Sequence, residues 1–283
     1  MRDYFSKNIE KIKTKAVMID FYSDKGLYQL IEYCKENNLI SKSMSYSMFY
    51  DRALNELNMS SHTVSIKGKI KTRYTFLDGK KFNVYKFAES LESKSFFSMS
   101  TALNIQDIST FRNDFIFISK ISTPKYNYND HNQLTQDSID SAFKKAPRKT
   151  KNYGTKDGKN IVILEPKSAN MNTIINFNGY KVSSINRTFI EMIVNVQYFK
   201  SPKHLIDLFI NLKDKIDPKR VCIIIENFDF IYPYQQLAGF YLEKVGFSRK
   251  ELTYFKKEVK KFKFYTQKAK SEYQYDSYWQ IYY

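Results

Sequence analysis

Two hydrophobic periods run through this sequence, and together they constrain the fold more than any other feature. Leu27, Leu30, Ile31 and Cys34 fall at i, i+3, i+4 and i+7, the spacing of one face of a helix. Phe115-Ile116-Phe117-Ile118 and Ile161–Leu164 are unbroken apolar runs of strand length, as buried strands are. A chain with both must pack helices against sheet, and the expected class is α+β. Its 283 residues, 42% of them apolar, suffice for a sizeable core, to which 23 Tyr and 23 Phe contribute much of the area. The pattern divides into two domains, residues 1–88 and 89–283.

The first domain reads as helices followed by strands. Asp24 can cap a helix that ends at Asn37-Asn38. After the Ser41–Ser47 stretch, Phe49, Ala53, Leu54 and Leu57 form the apolar stripe of a second helix, with Ser45, Tyr46, Tyr50, Arg52 and Asn55 largely off it. Thr63–Ile66, Arg73–Phe76 and Phe82–Phe87 are strand-like, the last two flanking the turn Leu77-Asp78-Gly79-Lys80; Asp-Gly between β-prone runs signals a hairpin. Helix, helix, basic hairpin is the order of a winged helix-turn-helix. In that reading Ser45, Tyr46, Tyr50 and Arg52 lie on the helix entering the major groove, and Lys67, Lys69, Lys71, Arg73, Lys80 and Lys81 contact phosphates. The competing reading is a packing helix with a solvated face, beside a hairpin whose lysines guard an edge against aggregation.

In the second domain, Ser98–Ile105 predicts a helix, Asp114–Ile121 a strand and Ser138–Lys145 a short helix. Residues 144–159 carry Lys144, Lys145, Arg148, Lys149, Lys151, Lys156 and Lys159 against Asp157, which reads either as a second basic patch or as a solvated loop. Ser201-Pro202 and Asp217-Pro218 place a cap before a helix-starting proline. Tyr234–Val245 predicts an amphipathic helix stopped by Gly246, and Ser248 with Glu251 has capping-box spacing. Phe262–Thr266 and Tyr278–Tyr283 predict closing strands.

The formal net charge is +17, from 46 Lys and Arg against 29 Asp and Glu. So large an excess costs stability through self-repulsion and points to a polyanion, although a lysine-rich solvated surface is the alternative. Cys34 and Cys222 sit far apart in apolar segments and predict buried, reduced thiols. No apolar run approaches membrane-spanning length, and Met1–Ile12 lacks a signal-peptide core, so a cytoplasmic protein without membrane contact is expected. His62, His131 and His204 have no partner pattern. There is no zinc spacing, phosphate-cradling glycine loop, nucleophile elbow or Asp-x-Asp pair. Glu226 and Asp229, the nearest acidic candidates, read as capping or solvating a helix junction. No catalysis and no cofactor are expected.

Four segments in order resemble the AbiEi family, antitoxins of type IV abortive-infection toxin–antitoxin systems. Tyr232-Pro233-Tyr234-Gln235-Gln236-Leu237-Ala238-Gly239-Phe240-Tyr241-Leu242-Glu243 is similar to the family's Tyr-Pro-Tyr-His-Gln-x-x-Gly-Phe-Tyr-Leu-Glu. Asn186-Arg187-Thr188-Phe189-Ile190-Glu191 is similar to Glu-Arg-Thr-Leu-Ile-Asp. Leu134–Phe143 with Arg148 following, and Phe97–Leu103, are the others, and Trp279 also fits. Gln235 stands where the family has His, Asn186 where it has Glu, and Asn104 near a usual His-Gly pair.

The resemblance implies an N-terminal winged helix that represses its operon by binding inverted repeats in operator DNA. It also implies a mixed α/β C-terminal domain, resembling a catalytically dead nucleotidyltransferase, that opposes a cognate nucleotidyltransferase toxin. The alternative is a stand-alone RNA- or DNA-binding phage-defence adaptor with no toxin partner. Arg187 reads as a structural anchor, or else as a toxin or nucleic-acid contact.

Overall fold

The structure is a computed structural model that describes residues 3–76, 81–109, 114–121, 134–166, 171, 173–228, 230–257, 259 and 262–283. It is α+β and divides into two compact units, Met1–Ser93 with Asn152–Val162, and Lys94–Lys151 with Ile163–Tyr283. The first unit thus runs past residue 88 and takes in a segment remote in sequence.

The first unit begins with α1 (Tyr4–Lys7), α2 (Ile9–Ala16), α3 (Asp24–Glu36) and α4 (Tyr46–Glu56). Ser23, not Asp24, caps α3, its side chain accepting from the Gly26 N–H. Leu27, Leu30, Ile31 and Cys34 all face the core, and Asn37 ends the helix. Burial pushes the Cys34 thiol up to about 11, so it stays protonated and inert. On α4, Phe49 and Ala53 are fully buried and Leu57 beyond the helix follows them inward. Leu54, expected on that stripe, is exposed: spacings of four from Phe49 reach Ala53 and Leu57 and leave it on the flank. Phe5, Ile12 and Ala16 of α1 and α2 complete this core with Met59, Tyr74 and Phe76.

Strands β1 (Met59–Ile66) and β2 (Lys69–Phe76) form an antiparallel hairpin in which Ile66 pairs with Lys69. Its two-residue turn is Lys67-Gly68, with φ of 52° and 73°. Both values are positive, as a type I′ turn requires, and this turn matches strand twist. The Asp78-Gly79 turn lies outside the described residues. Phe82–Phe87, expected as a strand, is not one: α5 spans Val84–Ser90. The Asn83 side chain accepts from the N–H groups of Tyr85 and Lys86, and this cap with the burial of Phe87 and Ala88 outweighs β propensity.

In the second unit β3 (Ser95–Phe97), α6 (Met99–Ile105), β4 (Phe115–Lys120) and α7 (Gln136–Lys144) come next. The chain then returns to the first unit as a hairpin of β5 (Tyr153–Lys156) and β6 (Lys159–Leu164), whose last two residues belong to the second unit. The stretch 144–159 is therefore in part a hairpin and not simply a loop. Gly154 lies against the Ser65 carbonyl and Val64 of β1, where a Cβ would overlap backbone.

The remainder holds β7 (Ile174–Phe177), β8 (Tyr180–Ser183), α8 (Ile185–Val194), α9 (Pro202–Ile210), α10 (Pro218–Asn227), α11 (Tyr234–Val245), α12 (Thr253–Lys257), β9 (Phe264–Tyr265), β10 (Tyr275–Asp276) and β11 (Ile281–Tyr282). Among these strands the sheet order runs β4-β3-β8-β7, with β3 and β8 parallel and the other two pairs antiparallel. A second, β10-β11-β9, closes the chain. Ser201 and Asp217 cap α9 and α10 ahead of their prolines, and Gly246 stops α11 at φ 109°. Val221–Ile225 is helical: the Asp-Pro start fixes its first turn and prevails over a strand-like composition.

Candidate nucleic-acid interface

Ser45 caps α4, accepting from the Met48 N–H, and stands exposed with Ser47 and Met48 at that helix start. Lys42 and Ser43 just before it are exposed as well. Sequence reasoning passed over Lys42, whose signal was only its nearness to the cap. Tyr46 and Tyr50 do not stand out from the helix. Tyr46 stacks on Tyr28 with ring centroids 4.2 Å apart and lies 6.2 Å from Tyr50, and Tyr50 meets Tyr74 edge-on. Both are half-buried against the core.

Arg52, expected to approach bases, is held within the protein. Its guanidinium pairs with Asp3 at 2.6 Å and Glu56 at 2.6 Å, donates to the Ser6 hydroxyl, and lies over the Phe5 ring. Two carboxylates already neutralise the cation, so it ties α1 to α4. The Arg52 fork in turn holds the Asp3 carboxyl well below the usual range.

The hairpin cations divide into two groups. Lys71 is bound to Glu92 at 2.6 Å and to the Leu91 carbonyl, and Arg73 donates to the Ser90 and Thr72 carbonyls. These two fasten the hairpin to the segment after α5. Lys67 and Lys69 at the tip are exposed, as is Lys81, beside an Ile70 that is 74% exposed. Lys80 lies outside the described residues.

On β1, His62 packs among Phe21, Phe82 and Phe87, and its Nε2 has no hydrogen-bond partner among the described residues. Burial, and then the Lys156 ammonium, lower its pKa, with Asp157 opposing them. The folded chain thus resists protonation that the unfolded chain accepts below about pH 6.5. Between that value and the depressed folded pKa the unfolded state binds more protons, so stability should fall as pH falls. Urea midpoints at pH 7.5 and 5.5 should differ less in His62→Leu than in the parent; equal differences would remove His62 as the cause.

In the second unit, the four segments singled out in the sequence are joined by hydrogen bonds and packing. Glu191 accepts from the Met99 N–H at 3.2 Å, the Ser183 hydroxyl at 2.8 Å and Arg187 Nε at 2.7 Å. Met99 itself has φ 50°, a strained value for this residue type, and the bond to Glu191 helps to hold it. Arg187 is 2% exposed, donates to Thr173, and lies between the rings of Phe96 and Phe228. That geometry gives it the anchoring role and leaves no face for a partner.

Gln136 exchanges two hydrogen bonds with the Lys263 backbone, and Asp140 accepts from the Tyr265 hydroxyl. Gln236 donates to the Phe262 and Gln280 carbonyls. Gly239 lies so close to Trp279 that a Cβ would overlap the indole, whose Nε1 donates to Glu243. Cys34 and Cys222 are free and buried. Cys222 contacts Glu226, and Asp229 lies outside the described residues.

The RV2827C protein of Mycobacterium tuberculosis has a similar structure. It is 10% identical, the match covers 99% of this chain and 92% of that one, and the TM-score is 0.59. At that identity the likeness is one of fold. No protein-family model matches the sequence, and no curated protein matches it. Among the described residues no helix is long and apolar enough to cross a membrane, and no three His, Cys, Asp or Glu side chains are grouped as metal ligands.

Proposed function

We propose that this chain is a repressor-antitoxin. Its first unit acts as a winged helix-turn-helix that binds inverted repeats in operator DNA. Its second unit, a nucleotidyltransferase-like fold without catalytic activity, opposes a cognate nucleotidyltransferase toxin in the cytoplasm. The observation that carries the reading is the hairpin after α3 and α4. Its second strand is fastened midway by Lys71 and Arg73, while Lys67 and Lys69 remain exposed at a two-residue tip. A rigid ribbon with cations at its end suits contact with a phosphate backbone.

The proposed contacts are narrower than the sequence alone gave. Lys67, Lys69, Lys81 and Lys42 meet phosphates, with the hydroxyls of Ser45 and Ser47 at the start of α4, where the helix dipole favours an anion. Arg52, Lys71 and Arg73 hold the module together. Tyr46 and Tyr50 set the position of α4 through their stack.

Lys67→Ala with Lys69→Ala should weaken promoter and unrelated duplex DNA by the same factor. It should lower the slope of log affinity against log salt by about 1 per lysine, with folding changed by less than about 0.5 kcal/mol. Titration of both duplexes from low to moderate salt reads this directly. An unchanged slope would remove the tip from the interface. Lys71→Ala should instead loosen the hairpin, since it removes the ion pair with Glu92 and the bond to the Leu91 carbonyl.

A further inference from the structure

We infer that the second unit binds a nucleoside phosphate in the cleft beside α7, the entry to α9 and strand β9. The cleft has a volume of about 470 Å³, within the range of small-ligand sites. Its described lining holds three cations, Arg148, Lys200 and Lys268, and no carboxylate. In a chain with 29 acidic residues, a concave surface with cations alone concentrates positive potential and selects an anion.

The aromatic wall narrows the anion to one carrying a flat ring. Tyr232 lines the cleft half-buried, with part of its ring open to a ligand, and Phe264 packs against it with centroids 5.7 Å apart and planes 30° from parallel. Tyr265 also lines the cleft, stacked against both Phe143 and Tyr282 at 5.2 and 5.0 Å, and it fixes the wall. Stacking on such faces tolerates any base, and Arg148 and Lys200 are exposed where a phosphate could reach them.

Thr266 supplies an independent sign. It lines the same cleft, is 2% exposed, and its hydroxyl has no hydrogen-bond partner among the described residues. A buried hydroxyl without a partner is costly, and a ligand's ribose or phosphate oxygen would satisfy it. Ser201, the cap of α9, also lines the cleft and brings a helix start toward the phosphate. The same chemistry is offered by a free nucleotide and by the end of a single-stranded RNA. This site lies within the second unit, whereas the proposed DNA contacts lie within the first.

The test is calorimetric titration of the full-length chain with adenosine 5′-monophosphate, adenosine, inorganic phosphate and a single-stranded RNA trinucleotide. The monophosphate should bind at least about tenfold more tightly than adenosine or phosphate alone, because ring and anion are held together. Arg148→Ala with Lys268→Ala should weaken it by about tenfold or more with the melting temperature unchanged. Lys67→Ala with Lys69→Ala should leave it unaltered. If the trinucleotide binds more tightly than the monophosphate and is lost in the same cleft variant, the ligand is an RNA end; equal binding assigns a free nucleotide. Failure of both to bind at millimolar concentration, or binding that survives the cleft variant, would overturn the proposal.

Discussion

Trp279→Ala is expected to destabilise the second unit by about 3–5 kcal/mol. The indole is fully buried, lies against the Gly239 backbone and donates its N–H to Glu243. Removing it opens a cavity and takes one donor from the Glu243 carboxylate, which keeps only Arg249 at 2.8 Å among the described partners. Gly239→Ala should cost about 1–3 kcal/mol by the opposite route, since the added methyl has no space before the ring. Urea unfolding monitored by circular dichroism measures both, because the first substitution removes the only tryptophan. A loss below about 1 kcal/mol for Trp279→Ala would mean that the C-terminal segment is not part of this core.

A comparable loss, about 3–5 kcal/mol, is expected for Arg187→Ala, because it leaves Glu191 charged and nearly enclosed. The carboxylate would keep the Met99 N–H and Ser183 hydroxyl but lose the cation that offsets its desolvation. Arg187→Met with Glu191→Leu should recover little of the loss, since the buried Met99 N–H and Ser183 hydroxyl would then lose their acceptor. A stable, folded Arg187→Ala protein that no longer counters the proposed toxin would show instead that this arginine serves a partner.

Several elements were legible because their signals are local. The Ser-Pro and Asp-Pro starts of α9 and α10, the stop at Gly246 and the stripe of α3 are each fixed by neighbours in the sequence. The hairpin register was not, since Asp78-Gly79 is the stronger turn signal while the observed turn places a lysine at positive φ. Tertiary pairing decides that, as it decides α5. Helices α1 and α2 are short and of mixed charge, so Phe5, Ile12 and Ala16 reveal themselves only by meeting α4 and the hairpin base.

The candidate site was legible in part. The basic hairpin was visible as composition, but which cations remain available was not. Arg52 is neutralised by Asp3, remote in sequence, Lys71 by Glu92 after α5, and Arg73 is held by the Ser90 carbonyl at the end of α5. The second-unit cleft brings together Arg148, Lys200, Tyr232 and Lys268, whose convergence no spacing announces.

The central claim is tested most directly by growth when this chain is co-expressed with the gene adjacent to its own. Full-length protein is required, because cutting after the first unit's main segment would strand Asn152–Val162 without the β1 surface that Gly154 lies against. The account predicts that the neighbour arrests growth and that the parent chain restores it. It also predicts that Lys67→Ala with Lys69→Ala restores growth equally while no longer repressing a promoter reporter. A harmless neighbour, or arrest that the parent chain fails to relieve, would contradict the antitoxin reading and leave a nucleic-acid-binding protein without a toxin.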